Sequence, residues 1–228
     1  NVRRIVESLG VDHLWFHPDF ELLKSVFAAC AERSPFPAKA LERASAICTA
    51  CIGLVKALAL RTAVEKGIPF IGYGWSPGQA PLTSAIMPNN PAFVRGTQNS
   101  LLKALLTVGD DRLRAYFLEP RHFETAGEFP VNIHPLAFWD YEEDHIRRTI
   151  EALGWKEPRD TDSNSTNCRL NTLGNAVHRA RYGYHPYAFE LAKLVREGHL
   201  DRAEAVERLE RPDDPERLRA IRGILGLA

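Results

Sequence analysis

Apolar residues recur at helical spacing through most of the chain. Val2, Ile5, Val6 and Leu9 fall on one face of a first helix that Gly10 closes. Residues 11–16, Val-Asp-His-Leu-Trp-Phe, read as a strand stopped by Pro18. Asp19 then caps a helix over 20–32, with Leu22, Leu23, Val26, Phe27 and Cys30 on its stripe, so Cys30 reads as a small core residue. A short helix is expected over 38–46 and a longer one over 52–66, ended by Gly67. Residues 68–73, Ile-Pro-Phe-Ile-Gly-Tyr, read as a buried strand of a parallel sheet. A loop rich in Pro and Asn over 81–91 leads to helices at 99–108 and 110–118. An irregular stretch follows over 119–130, then a last strand over 131–136. The remainder reads as helical, over 141–153, 170–181, 186–197, 201–209 and 214–225. Helix, glycine and strand succeed one another twice, which predicts an α/β layered fold.

Composition narrows the class. In 228 residues, 29 Lys+Arg balance 29 Asp+Glu, so no general electrostatic pull toward nucleic acid exists, although a local basic patch is still allowed. No apolar run approaches the roughly 20 residues of a bilayer span, and no signal peptide opens the chain. Four cysteines are too few for a secreted disulfide scaffold of this size and favour a reducing, cytoplasmic setting. The chain opens on Asn1, already inside a helix and without an initiator Met, so further sequence upstream is expected.

The candidate chemistry lies in Cys48-Thr49-Ala50-Cys51 and in Ser165-Thr166-Asn167-Cys168. Each segment leads into a helix, where the positive end of the dipole lowers a thiol's pKa. A Cys-x-x-Cys pair with one remote cysteine can hold a metal or cluster through three thiolates and leave one position open. An iron–sulfur cluster, a zinc ion with His134 or His178 as fourth ligand, a persulfide or disulfide chemistry, and no chemical role all remain open. His134 by itself reads as a structural histidine, and the turn of residues 74–79 sits at a strand's carboxyl end, where α/β sheets bind ligands.

Cys48-Thr49-Ala50-Cys51, the helix after it, Gly67-Ile68-Pro69 and the strand ending at Gly74 resemble the latter half of the PP-loop ATP pyrophosphatases. The likeness is nearest to tRNA-thiolating members and to N-acetyl sugar amidotransferases. Residues 1–18 and the tail, with Tyr182-Gly183-Tyr184-His185, Leu194-Val195-Arg196-Glu197-Gly198 and Arg202-Ala203-Glu204-Ala205, extend it. The family's Ser-Gly-Gly-x-Asp-Ser loop is absent from these residues, so the chain alone is expected to bind ATP poorly.

The resemblance implies a Rossmann-like parallel sheet flanked by helices over 1–139, without its N-terminal nucleotide loop. A helical region carrying the third cysteine follows over 140–228. It also implies Mg-dependent use of ATP to adenylate a substrate carbonyl, whose oxygen sulfur or ammonia then replaces. Gly74, Ser76 and Gln79 would face the adenylate, Arg95 the pyrophosphate, and Cys48, Cys51 and Cys168 would hold a [4Fe–4S] cluster or zinc. The expected partners are a small-molecule, sugar or tRNA substrate, a separate glutaminase if ammonia is the nucleophile, and a second copy in a homodimer. A non-catalytic, metal-stabilised domain is the remaining alternative.

Overall fold

The computed structural model describes residues 2–125, 129–162, 164–165 and 168–227. Among them lie ten α-helices: α1 (Val2–Leu9), α2 (Phe20–Glu32), α3 (Ala46–Lys66), α4 (Pro91–Leu105), α5 (Pro120–Thr125), α6 (Glu143–Ala152), α7 (Leu170–Tyr182), α8 (Ala188–Arg196), α9 (Arg202–Glu210) and α10 (Pro215–Leu225). Three short strands join them: β1 (Phe70–Gly72), β2 (Ile86–Pro88) and β3 (Val131–Ile133). The protein is thus mostly helical with a small sheet.

That sheet has the order β1-β3-β2. β1 and β3 pair in parallel, Phe70 opposite Val131, as expected for the two runs that read as strands. The expected all-parallel sheet is nevertheless mixed, because β2 adds to β3 antiparallel, with Ile86 opposite Ile133. Prolines 81, 88 and 91 give this segment the composition of a loop, and an edge strand tolerates them. Residues 11–16 form no strand. Their composition is strand-like, but neither sheet edge pairs with them, and Leu14, Trp15 and Phe16 are exposed.

α3 sets the layout. Ser45 is in extended backbone, and its hydroxyl accepts a hydrogen bond from the Cys48 amide at 3.2 Å. The helix therefore starts at Ala46, six residues before the expected start at 52, and takes both cysteines into its first two turns. It ends at Gly67, whose left-handed φ of 63° suits glycine. By length and composition α3 is also the one helix among the described residues that could cross a bilayer, which the sequence reading did not foresee. It packs against α2 and α7, burying Ala46, Ile47, Ala50 and Leu54 in the main core.

That core joins Leu22 and Val26 of α2, Leu54 of α3, Leu173 of α7, and Ile221 and Leu225 of α10, so it spans both sides of residue 139. Cys30 is fully buried within it, and desolvation pushes its thiol up to about 12. A second cluster of Val94, Leu118 and Phe129 takes in Leu60 and Val64 from the far half of α3. A third holds α8 to α9 through Leu191, Leu194 and Ala205. Ser45→Ala is expected to cost about 0.5–2 kcal/mol of stability by removing the α3 cap. Urea denaturation checks this, and Ser45→Thr should retain most of the difference.

Candidate functional site

The thiols meet at the seam of α3 and α7. Cys48 and Cys51 are three apart in α3 and share a face. α7 approaches that face closely at Gly174, where an added Cβ would lie 2.6 Å from the Ser45 hydroxyl and 3.7 Å from Cys48 Sγ. Cys168 stands just ahead of α7. Asn171, in the first turn of α7, presents its Oδ1 to the Cys48 thiol at 3.7 Å and accepts the Tyr187 hydroxyl at 3.3 Å.

The three thiols lie within electrostatic reach of one another. Burial pushes the Cys48 thiol up, and negative charge on Cys168 and Asp162 adds to this against an opposing hydrogen bond with Ser45. Cys51 is pushed up to about 11 by burial and then by Cys168 and Cys48. The lowering expected at a helix start is therefore reversed for both residues of the pair. Desolvation and mutual repulsion outweigh the dipole here.

A second feature adjoins the thiols. The turn after β1 is held by its own side chains: the Ser76 amide donates to Gln79 Oε1 at 3.0 Å, and the Gln79 amide donates to Ser76 Oγ at 3.2 Å. α8 then clamps the turn, with the Ser76 hydroxyl donating to Glu190 Oε1 at 2.8 Å and the Lys193 ammonium donating to the Pro77 carbonyl. Gly74, Ser76 and Gln79 line a cleft of about 650 Å³ together with Glu190, Tyr187, Arg147, Arg208 and Arg211. A smaller cleft of about 220 Å³ lies over Cys48, and Gln79, Tyr187 and Glu190 line this one too.

No family model, characterised protein or solved structure matches the chain. Its own side chains carry the functional reading.

The donor set at the seam suits a thiophilic cation. Cys168 and Asp162 act electrostatically on Cys48, and Cys168 and Cys48 on Cys51. The arrangement is not closed, however. Among the described residues no three His, Cys, Asp or Glu side chains are gathered to hold a metal ion, so capture requires at least one thiol to move. Thr166 and Asn167, which lead into Cys168, lie outside the described residues.

Both histidines proposed as fourth ligand pack on aromatic rings. His134 packs on Tyr73 and Trp75, and His178 on Tyr182 and Tyr184. Arg95 lies elsewhere: its guanidinium stacks 4.4 Å from the Phe123 ring centre, in a shallow cleft of α4 that contains none of Gly74, Ser76 and Gln79.

Asn171, Asn175, Tyr187 and Glu190 are functional-site residues that the sequence analysis does not single out. A signal for Glu190 existed, since residues 187, 190, 191 and 194 keep core spacing and an acid there must face the interior. Burial raises the Glu190 carboxyl above the usual carboxylate range, with hydrogen bonds from Ser76 and Gln79 opposing. A carboxyl raised in the folded state holds its proton longer than in the unfolded chain. Its contribution to stability is thus fully present below the unfolded pKa and is lost as pH climbs through the folded one. Glu190→Gln is expected to flatten that decline in thermal melts taken from acid to neutral pH. An unchanged profile would contradict the assignment.

Proposed function

We propose that this chain is part of a PP-loop-type ATP pyrophosphatase that adenylates a substrate carbonyl and replaces its oxygen with sulfur. One juxtaposition carries the reading. The thiol seam and the turn after β1 open onto adjoining clefts that share Gln79, Tyr187 and Glu190. In this reading β1 and β3 are the latter strands of a Rossmann-like parallel sheet. Gly74, Ser76 and Gln79 take the adenylate of Mg-bound ATP at their carboxyl end. The substrate is a small molecule, a sugar or a tRNA.

The steps follow from the chemistry of adenylation. The substrate's carbonyl oxygen attacks the α-phosphorus, pyrophosphate leaves, and sulfide then displaces AMP from the activated carbon. Arg147, Arg208 and Arg211 bring positive charge to the larger cleft. Glu157 holds Arg147, Glu143 and Glu204 hold Arg208, and Glu207 holds Arg211, so phosphate binding has to compete with these carboxylates. Cys48, Cys51 and Cys168 would hold a [4Fe–4S] cluster, which would supply the sulfur donor once bound. Asn171 orients the Cys48 thiol, and Tyr187 in turn fixes the Asn171 amide. The Ser76 hydroxyl donates a hydrogen bond to the Glu190 carboxyl at the junction of the clefts.

Anaerobic reconstitution with ferrous iron and sulfide tests the reading. The chain is expected to gain the broad visible absorption of an iron–sulfur chromophore, Cys51→Ala to lose it, and Cys30→Ala to keep it. A colourless wild-type protein would contradict the sulfur-transfer reading. Zinc retention by that colourless protein would favour an amidotransferase fed with ammonia by a glutaminase partner.

A further inference from the structure

Asn175 and, three residues on, His178 are both buried with two unpaired side-chain polar atoms, and of the two Asn175 lines the cleft over Cys48. Asn175 is 0% exposed, and neither its Oδ1 nor its Nδ2 has a hydrogen-bond partner. Asn171, one turn earlier on α7, is by contrast engaged by Tyr187, Cys48 and Asp162. Buried amides are normally paired, because leaving both a donor and an acceptor unmet forfeits their hydration with nothing in return. Asn175 borders the cleft over Cys48, beside Trp75 and Glu190, but both amide atoms are sealed from solvent and have to turn toward the cleft to meet a ligand.

We propose that this cleft binds a small ligand through an amide or lactam edge, a carbonyl beside an N–H, which Asn175 reads with a bidentate pair of hydrogen bonds. A side-chain amide offers one donor and one acceptor side by side, and the edge that satisfies both presents the same two groups in complement. The volume, about 220 Å³, has room for a single small ring and not for a whole nucleotide. Trp75 supplies a face for a planar ring to lie against. The walls carry one acid, Glu190, and one base, Arg43, so they favour a neutral edge over a charged one. The fate of the bound carbonyl, exchange of oxygen for sulfur at the adjoining thiols, rests on the function proposed above. The binding itself does not.

The test uses 2-pyridone, whose ring carbonyl and N–H are adjacent, and N-methyl-2-pyridone, which lacks the donor. Both are titrated against the whole chain by ligand-observed saturation-transfer NMR, with adenosine as a competitor. 2-Pyridone is expected to bind saturably, and its N-methyl analogue about tenfold or more weakly, the loss of one buried hydrogen bond. Asn175→Leu keeps the branched shape, though at larger volume, and removes two unpaired polar atoms; a thermal melt verifies that its fold holds. It should bind 2-pyridone about tenfold or more weakly. Asn175→Asp, which exchanges the donor for an acceptor, gives the same expectation should the leucine variant not fold.

No binding of 2-pyridone, equal binding of the two pyridones, undiminished binding in the variants, or displacement by adenosine would each overturn the proposal. Binding of 2-pyridone by a protein that takes up no iron would leave this inference standing and defeat the sulfur-transfer reading. Iron uptake without 2-pyridone binding would do the reverse.

Discussion

Leu173→Ala is expected to lower the stability of the chain by about 2–5 kcal/mol, the usual loss for a buried leucine replaced by alanine. Leu173 is 1% exposed and belongs to the main core. The other buried residues of α7 are Asn171, Thr172, Gly174, Asn175 and His178, so Leu173 is its one large apolar anchor of that class. A chain of this length should melt on the order of 10 °C lower. Chemical denaturation of the two proteins measures the difference. A loss well under 1 kcal/mol would mean that the α3–α7 seam is not the structural centre argued above. Because the same seam sets Cys48 and Cys51 against Cys168, the variant should also bind metal less well than its stability alone predicts.

Gly78→Ala is the second large effect. A Cβ at this position would lie 2.7 Å from the Glu190 carbonyl oxygen and 2.9 Å from Leu194 Cγ. The first of these atoms is backbone of α8, so the turn and the helix must part. The expected cost is about 1–3 kcal/mol, typical of overpacking in a tight contact. The separation also breaks the hydrogen bond from Ser76 to Glu190 and widens the junction between the two clefts. Gly74→Ala is the matched control. Nothing lies within 4 Å of its added Cβ, so the melting temperature should hardly change. Equal melting temperatures for the two variants would show that α8 does not clamp the turn.

Where the sequence was informative, it was so for reasons of local physics. α2 was legible to the residue because Asp19 caps it, its side chain accepting from the Leu22 amide, and its stripe is uninterrupted. α10 likewise begins on a capping Asp214 with Pro215 behind it. β1 and β3 were legible as apolar runs, and their parallel pairing was expected.

What failed were features set by the surroundings. The Cys-Thr-Ala-Cys segment looks like a turn until Ser45 is seen capping it three residues earlier. β2 looks like a proline-rich loop, and the strand exists only because β3 offers a free edge. Residues 11–16 have the composition of a strand and no edge to join.

The site divides in the same way. The sequence singled out Cys48, Cys51 and Cys168, and the structure brings their thiols into electrostatic reach of one another. Spacing could not reveal that burial drives the Cys48 and Cys51 thiols upward, because desolvation depends on what packs around them. Gly74, Ser76 and Gln79 do line one cleft. Arg95 was singled out on chemistry alone, and its side chain lies against Phe123 instead. Asn175 was invisible in sequence, since an asparagine inside a helix announces nothing until its partners are counted and found missing.

The central claim is that Cys48, Cys51 and Cys168 together hold a cluster. The most direct test is the iron, acid-labile sulfide and zinc content of the protein purified without oxygen, beside Cys168→Ala. The account predicts ~4 iron and ~4 sulfide per chain, the content of a [4Fe–4S] centre, with both lost in the variant. Iron and sulfide that persist in Cys168→Ala, or a wild-type protein that carries neither, would contradict it.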